Sequence, residues 1–357
     1  MKILVVSAWE NDETMYPHLR VVLEKLKYLY SDVHYFKFFE RGYSFAKDLK
    51  FKVAFKLWKR VLKNLLKLKL LYLKNKFDKI IIIDHFTYVC ANFILPKDKL
   101  IFWSFDIMGD DSTYYKYKFI RFMLYLNAKF LSANPKLIIQ TPERLGLLER
   151  TLKIKLNEEN VCYLPVFIEK LNHTPNFKLS GEIPKLLQCS SFDGQRYTEE
   201  LIDQYQKDSN YSLYLHGIHI NSIEEYINSC AKKPVTLSKY VLPNKVFEIV
   251  ENYDIGFLGM KLDEDNCKYL YGASGQLLEF LRCGKPVISL GDNNVGEMLE
   301  KYGAGIEIKK IEDLDQAVLQ IKNGYETYSR NAYSLFLKDF DPDIIMILLK
   351  KFLESGR

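Results

Sequence analysis

The sequence predicts an α/β fold of two tandem Rossmann-like, doubly wound domains facing a central cleft, and three observations predict it. At 357 residues the chain fits about two domains better than one hydrophobic core. Short β-branched apolar runs alternate with longer segments of helical period, the pattern of a parallel sheet covered on both faces. The alternation lapses once, over 166–182 (VFIEKLNHTPNFKLSGE), where Pro, Asn, Ser and Gly gather, and then restarts.

In order, strands are expected at 2–7, 33–38, 79–84, 99–104, 137–140 and 161–164, with helices at 16–30, 52–74, 114–131 and 143–152. After 166–182, read as the linker, strands follow at 185–190, 211–216, 234–237, 254–258, 286–290 and 305–308. Helices fit 197–207, 222–231, 243–252, 275–283, 295–302 and 312–322. Asp341-Pro342 opens a last helix over 342–354, since Pro suits a first helical turn. The expected domains are 1–165 and 183–340, with 341–357 packing back on the first. Folds of this kind bind ligands at the carboxyl ends of their strands, so an enzyme built this way works in the cleft.

Composition narrows the function classes. The six cysteines are scattered without a CxxC pair and read as small buried hydrophobes in a reducing compartment. The first apolar run is short and soon meets Glu10, Asp12 and Glu13, so it reads as a strand and not a signal peptide. No apolar stretch approaches the roughly 20 residues of a membrane span. A cytoplasmic protein is the expectation. Net charge is +6, but residues 47–79 alone hold twelve basic side chains against Asp48 and Asp78. Their lysines interleave with Trp58, Phe51, Phe55 and many leucines. Such a stretch either lies on an anionic membrane surface or packs one face on the core and solvates the other. Nucleic-acid binding is not expected, because no base-stacking motif accompanies the lysines.

The chemistry concentrates in 271–305, YGASGQLLEFLRCGKPVISLGDNNVGEMLEKYGAG. Gly272-Ala273-Ser274-Gly275 is a small-residue loop feeding a helix, whose free N–H groups and dipole favour an anion such as a diphosphate. Glu279 lies one turn further in, on the face of Gly275, where a carboxylate accepts hydrogen bonds from two vicinal ribose hydroxyls. Cys283-Gly284-Lys285-Pro286 ends the helix on a glycine stop. The plainer alternative is an ordinary loop–helix–strand unit with Glu279 solvated.

With its order Ser-Gly-x-x-x-Glu-Phe-x-x-x-Gly-x-Pro-Val-Ile, this segment resembles the family 4-like, nucleotide-sugar-dependent glycosyltransferases of the GT-B fold. The resemblance is strong over 185–325 and weaker over 1–165. It implies that Glu279 binds the nucleotide ribose and that Ser274, Gly275 and Gln276 form the diphosphate turn. Many members carry a second Glu, contacting the donor sugar, where this chain has Tyr271; a subset has Lys in place of Gln276. In QCSSFDGQRYTEE (188–200), Arg196 matches the basic residue that neutralises the leaving diphosphate; the alternative is a surface Arg pairing with Glu199 or Glu200. Tyr240 and Val241 sit where members cradle the nucleobase, with Tyr240 either stacking on it or packing.

In the first half, Asp84-His85 and Asp106 follow strands and so reach the cleft edge. Asp106 is read as a base or acceptor-hydroxyl contact, His85 as a catalytic candidate or a structural histidine, and Trp9-Glu10-Asn11 as cleft lining. Asp110-Asp111 is rejected as a metal pair, and neither a metal nor a cofactor is expected. The resemblance implies sugar transfer from a nucleoside-diphosphate sugar, UDP ahead of GDP, to a hydroxyl of a glycan or lipid-linked acceptor. A bacterial surface polysaccharide is the implied product, and the basic patch over 47–79 suits an acceptor at the inner face of the cytoplasmic membrane. The rival is a non-catalytic nucleotide-sugar or polyanion binder on the same scaffold.

Overall fold

The computed structural model describes residues 1–7, 17–38, 51–107, 118–192, 194–207, 209–218, 220–230, 232–238, 241–261, 265–291 and 293–355, with the backbone alone at 17, 51–58, 220, 243 and 265. Two compact units result. Met1–Pro165 with Met346–Arg357 form the first, and Val166–Ile345 the second.

The first unit runs β1 (Lys2–Ser7), α1 (Pro17–Leu29), β2 (Asp32–Lys37), α2 (Phe51–Asn75), β3 (Lys79–Ile83) and α3 (His85–Asn92). It continues with β4 (Leu100–Trp103), α4 (Lys118–Leu131), β5 (Lys136–Ile139), α5 (Pro142–Leu152) and β6 (Val161–Tyr163). Its six strands are parallel in the order β2-β1-β3-β4-β5-β6. Ile3–Val6 and Ile80–Ile83 are fully buried, as strands covered on both faces must be. The chain reverses its direction of winding between β1 and β3, which is where ligands bind in such sheets.

Within this unit α2 sends Val61 and Leu68 into the core. Its other face exposes Leu62, Leu66, Leu70 and Leu73 at 55–61 %, one residue per turn, with Lys63, Lys67 and Lys74 exposed beside them. Neither a purely lysine-bearing outer face nor a fully seated helix describes it. The last helix, α13 (Pro342–Glu354), brings Glu354 to the Tyr30 hydroxyl (3.2 Å) and the Phe352 carbonyl to Lys136 Nζ (2.8 Å).

The second unit runs β7 (Lys185–Ser191), α6 (Thr198–Tyr205), β8 (Ser212–Ile218), α7 (Ile220–Cys230), β9 (Thr236–Ser238), α8 (Val246–Val250) and β10 (Ile255–Gly259). Then come α9 (Gly275–Arg282), β11 (Val287–Leu290), α10 (Asn294–Tyr302), β12 (Gly305–Ile308), α11 (Leu314–Asn323) and α12 (Tyr325–Asp339). The parallel order is β12-β11-β10-β7-β8-β9, so winding reverses between β7 and β10. Alternate residues feed two cores, one on each face. Leu186, Phe257 and Ile288 enter one, and Leu187, Leu258 and Val287 the other.

Residues 166–182 hold no helix or strand, yet Val166 and Ile168 are buried in the second unit's core. Asp254 anchors the segment, accepting hydrogen bonds from the Ser180 N–H and hydroxyl and from the Lys185 N–H, each at 2.9 Å. The helices α3 and α12 had no counterpart in the sequence reading. Seven of the eight residues of α3 are buried, so it shows no amphipathic period. The tyrosines and serines of α12 blur its apolar stripe.

Candidate functional site

In the second unit the carboxyl ends of β7 and β10 meet at the reversal of winding. The loop after β7 is pinned from below and beside. The Gln188 side chain donates to the Arg196 carbonyl (2.8 Å), and the Lys261 N–H, just past β10, donates to the Gln195 carbonyl (2.9 Å). Arg196 is half-buried there. Lys261 also holds Glu200 (2.8 Å) and lies over the Tyr197 ring. Beside them a groove of about 450 Å³ is lined by Phe192, Gly194, Thr198, Ser222, Ile223 and Lys261 and by the carboxylates of Glu199 and Glu200. Lys261 is a basic residue that sequence reading passed over. Its signal was a lysine directly after an apolar strand, at the edge where ligands bind.

The loop before α9 is equally fixed. The Leu270 carbonyl takes the N–H groups of Ala273 (2.8 Å) and Ser274 (2.9 Å), and the Gly272 carbonyl takes that of Val166 (2.8 Å). Gly272 stands at φ 82°, where glycine is at ease. Ser274 caps α9, its hydroxyl accepting from the Leu277 N–H (3.2 Å). The N–H groups of Gly275 and Gln276 have no intrahelical acceptor, and a Cβ at Gly275 would meet nothing. That end of α9 has the free N–H groups and the open space that an anion needs. Gly256 lets the helix approach β10 closely, since a Cβ there would lie 2.5 Å from the Phe280 ring.

Glu279 is buried, not solvated. Its Oε2 accepts from Arg282 at 2.5 Å, and Arg282 in turn donates to the Glu169 carbonyl (3.1 Å) and lies over Phe247. Burial raises the Glu279 pKa, against the pull of the Arg282 guanidinium. One carboxylate oxygen is thus held by the protein. Tyr271 packs against this core. Its hydroxyl donates to Asp339 (2.5 Å) and its N–H to Asn294 (2.9 Å), and burial with the Asp339 carboxylate pushes its pKa up. Val241 lies half-buried shortly after β9. Tyr240, Trp9-Glu10-Asn11 and Asp110-Asp111 lie outside the described residues.

In the first unit, Asp84 and His85 follow β3, and Asp106 follows β4, close enough for the Asp106 charge to act on both. Asp106 is exposed. His85 is buried, its Nε2–H donating to the Asp106 carbonyl (3.2 Å), and burial lowers its pKa. The loop after β4 is buttressed by the buried Arg144, which bonds the Phe105 carbonyl (2.8 Å) and Gln140 Oε1 (2.9 Å).

No family model matches the chain, and no curated protein matches it. Solved structures do. HepE of Anabaena in complex with UDP superposes with a TM-score of 0.72 at 11% identity, over 99% of this chain and 100% of that one. Sucrose-phosphate synthase of Thermosynechococcus elongatus gives 0.72 at 13% identity, over 98% of each chain. WaaG, a glycosyltransferase involved in lipopolysaccharide biosynthesis, gives 0.67 at 13% identity, over 99% of this chain and 100% of that one. Two parallel six-stranded sheets in this order, matched along their whole length, give the chain the GT-B fold of these glycosyltransferases.

Proposed function

We propose that the protein is a glycosyltransferase moving a sugar from a nucleoside-diphosphate sugar to a hydroxyl acceptor. The observation that carries this reading is the capped, open end of α9 with Glu279 one turn behind it, at the carboxyl end of β10 in a GT-B fold. Ser274, Gly275 and Gln276 seat the diphosphate, and Glu279 takes the ribose. Arg196 meets the negative charge that grows on the leaving diphosphate, without a metal. Tyr271 takes the donor-sugar position with its hydroxyl held by Asp339, and Tyr240 and Val241 take the base. UDP is the nucleotide proposed, supported by the neighbours solved with UDP and UDP-glucose.

The acceptor is a glycan or lipid-linked hydroxyl, bound on the first unit near Asp106 and His85. WaaG and the outer-core galactosyltransferase WaaB are lipopolysaccharide enzymes, which supports a surface polysaccharide as product. Among the described residues no helix is long and apolar enough to cross a membrane. The leucine stripe and lysines of α2 instead suit peripheral docking on the inner face of the cytoplasmic membrane.

Calorimetry with UDP and GDP, and hydrolysis of a UDP- and GDP-hexose panel, test this. Glu279→Gln should weaken UDP binding by roughly 1.5 kcal/mol, the lower range for a hydrogen bond to a charged group. Gln is preferred to Ala because it still bonds Arg282. Arg196→Ala should lower hydrolytic kcat by about two orders of magnitude with little change in UDP affinity. A wild type that binds neither nucleotide sinks the reading.

A further inference from the structure

The turn before α9 is held from outside itself at Tyr271 and Gly272. The Tyr271 N–H donates to Asn294, the first residue of α10, at 2.9 Å. The Gly272 carbonyl accepts from the Val166 N–H at 2.8 Å. The Tyr271 hydroxyl donates to the carboxylate of Asp339, the last residue of α12, at 2.5 Å. That is the short distance of a charge-assisted bond. The Tyr271 ring lies edge-on to the buried Phe340, with centroids 5.3 Å apart.

Val166 and Asp339 stand near the two places where the chain passes between units, Pro165 to Val166 and Ile345 to Met346. Further bonds join these two stretches to each other and to Glu279. Lys170 Nζ bridges the carboxylates of Asp341 (2.7 Å) and Asp343 (3.0 Å). Arg282, which holds Glu279, also donates to the Glu169 carbonyl at 3.1 Å. All of these groups belong to the second unit. The turn and Glu279, the two halves of the proposed nucleotide seat, thus rest on one frame made of residues 166–170 and 339–343.

We propose that Tyr271 and Asp339 are positioning residues for nucleotide binding, their bond holding the 270–274 turn in the shape that receives the diphosphate. This rests on the glycosyl-transfer reading above. A tyrosine hydroxyl has one proton to donate, and Asp339 takes it. Although Tyr271 stands at the donor-sugar position, it therefore acts on the sugar nucleotide through the backbone of the turn.

The neighbouring residues leave this task to Tyr271. Ala273 carries no polar side-chain atom, and the Ser274 hydroxyl is used on α9 itself. The Lys170 bridge is partly open to solvent, its side chain 36% exposed, and such pairs hold weakly. Binding groups stay within about 0.5 Å of their productive geometry only when supporting bonds of this kind fix them.

The test uses the full-length protein and calorimetry with UDP and UDP-glucose, or with GDP and GDP-mannose if GDP binds more tightly. Tyr271→Phe keeps the ring and removes the bond. It should weaken the nucleotide and the sugar nucleotide by the same factor, about tenfold, as loss of a hydrogen bond to a charged group does. Asp339→Ala should give a similar loss, and Asp339→Asn a smaller one, since its amide oxygen still accepts. The double variant Tyr271→Phe with Asp339→Ala should lose no more than the larger single loss, because both remove one bond. Hydrogen exchange gives a readout that lost stability alone does not move. The nucleotide should slow exchange over 339–343 in wild type and not in Tyr271→Phe. A folded Tyr271→Phe that binds the nucleotide as wild type does overturns the proposal, as do additive losses in the double variant. If only the sugar nucleotide then binds more weakly, Tyr271 touches the sugar instead. These outcomes leave the transferase reading standing. A wild type that binds neither UDP nor GDP overturns that reading, and the role of Tyr271 with it.

Discussion

Two carboxylates mark the ends of the two sheets, and they are kept in opposite ways. Glu279 in the second unit is buried on α9 with a guanidinium at 2.5 Å. Asp84 in the first unit is strained, with one oxygen sealed and no partner. Burial raises both pKa values, but only Glu279 has a cation pulling back. A paired carboxylate is held in place by its cation, which suits holding hydroxyls. An unpaired one exchanges a proton near neutrality.

The largest expected effect tests the paired half. Arg282→Ala leaves the Glu279 carboxylate buried and uncompensated, so unfolding free energy should drop by about 3–5 kcal/mol. Chemical denaturation at pH 8 measures it. Acidification should restore part of the loss, because protonated Glu279 no longer needs the cation. A variant as stable as wild type would mean that the pair is open to solvent, and the contrast with Asp84 would collapse.

The next effect tests the unpaired half, and its sign is opposite to that of an ordinary paired aspartate. The Asp84 carboxyl titrates at about 7 in the folded protein and near 3.9 in an unfolded chain. The folded state therefore binds the proton more tightly. That advantage is complete below about pH 4 and is lost as pH rises through 7. Wild-type stability should fall across this window by on the order of 2–4 kcal/mol, and Asp84→Asn should remove that slope. Parallel stability–pH curves for the two proteins would show that Asp84 is solvated.

The two halves also differ in how much could be read from sequence. The β-branched runs announced the strands because a doubly covered parallel sheet needs continuous apolar residues, as Ile80–Ile83 show. The seat at α9 was legible because its parts are local: loop, cap, carboxylate and glycine stop lie within one short stretch. The first unit's cluster was not. Asn127 lies far from Asp84 and His85 in sequence, and only folding brings it to the His85 ring. Position after a strand drew attention to Asp84 and His85 together, but only the fold shows the His85 ring buried and bonded to the Asp106 carbonyl. The stripe on α2 was half legible. Interleaved lysines and leucines showed in the sequence, but only packing tells that Val61 and Leu68 face inward while Leu62, Leu66, Leu70 and Leu73 face out.

The smallest effect per residue concerns that stripe, and it separates the units by location. Each lysine near an anionic bilayer contributes about 1 kcal/mol, so a single Lys67→Ala should weaken vesicle binding about fivefold. Replacing Lys63, Lys67 and Lys74 by Glu should abolish co-sedimentation with vesicles containing phosphatidylserine. Salt should act like the charge reversal, because the screening length shrinks to about 3 Å at 1 M. Leu66→Ser with Leu70→Ser should instead remove the salt-resistant part of binding, since that part comes from apolar insertion. None of these changes should alter UDP affinity, because the proposed nucleotide seat is built entirely from second-unit residues. A wild type that does not sediment with anionic vesicles at low salt would leave the leucine stripe without a lipid partner. A triple-Glu variant with weakened UDP binding would break the assignment of lipid and nucleotide to different units.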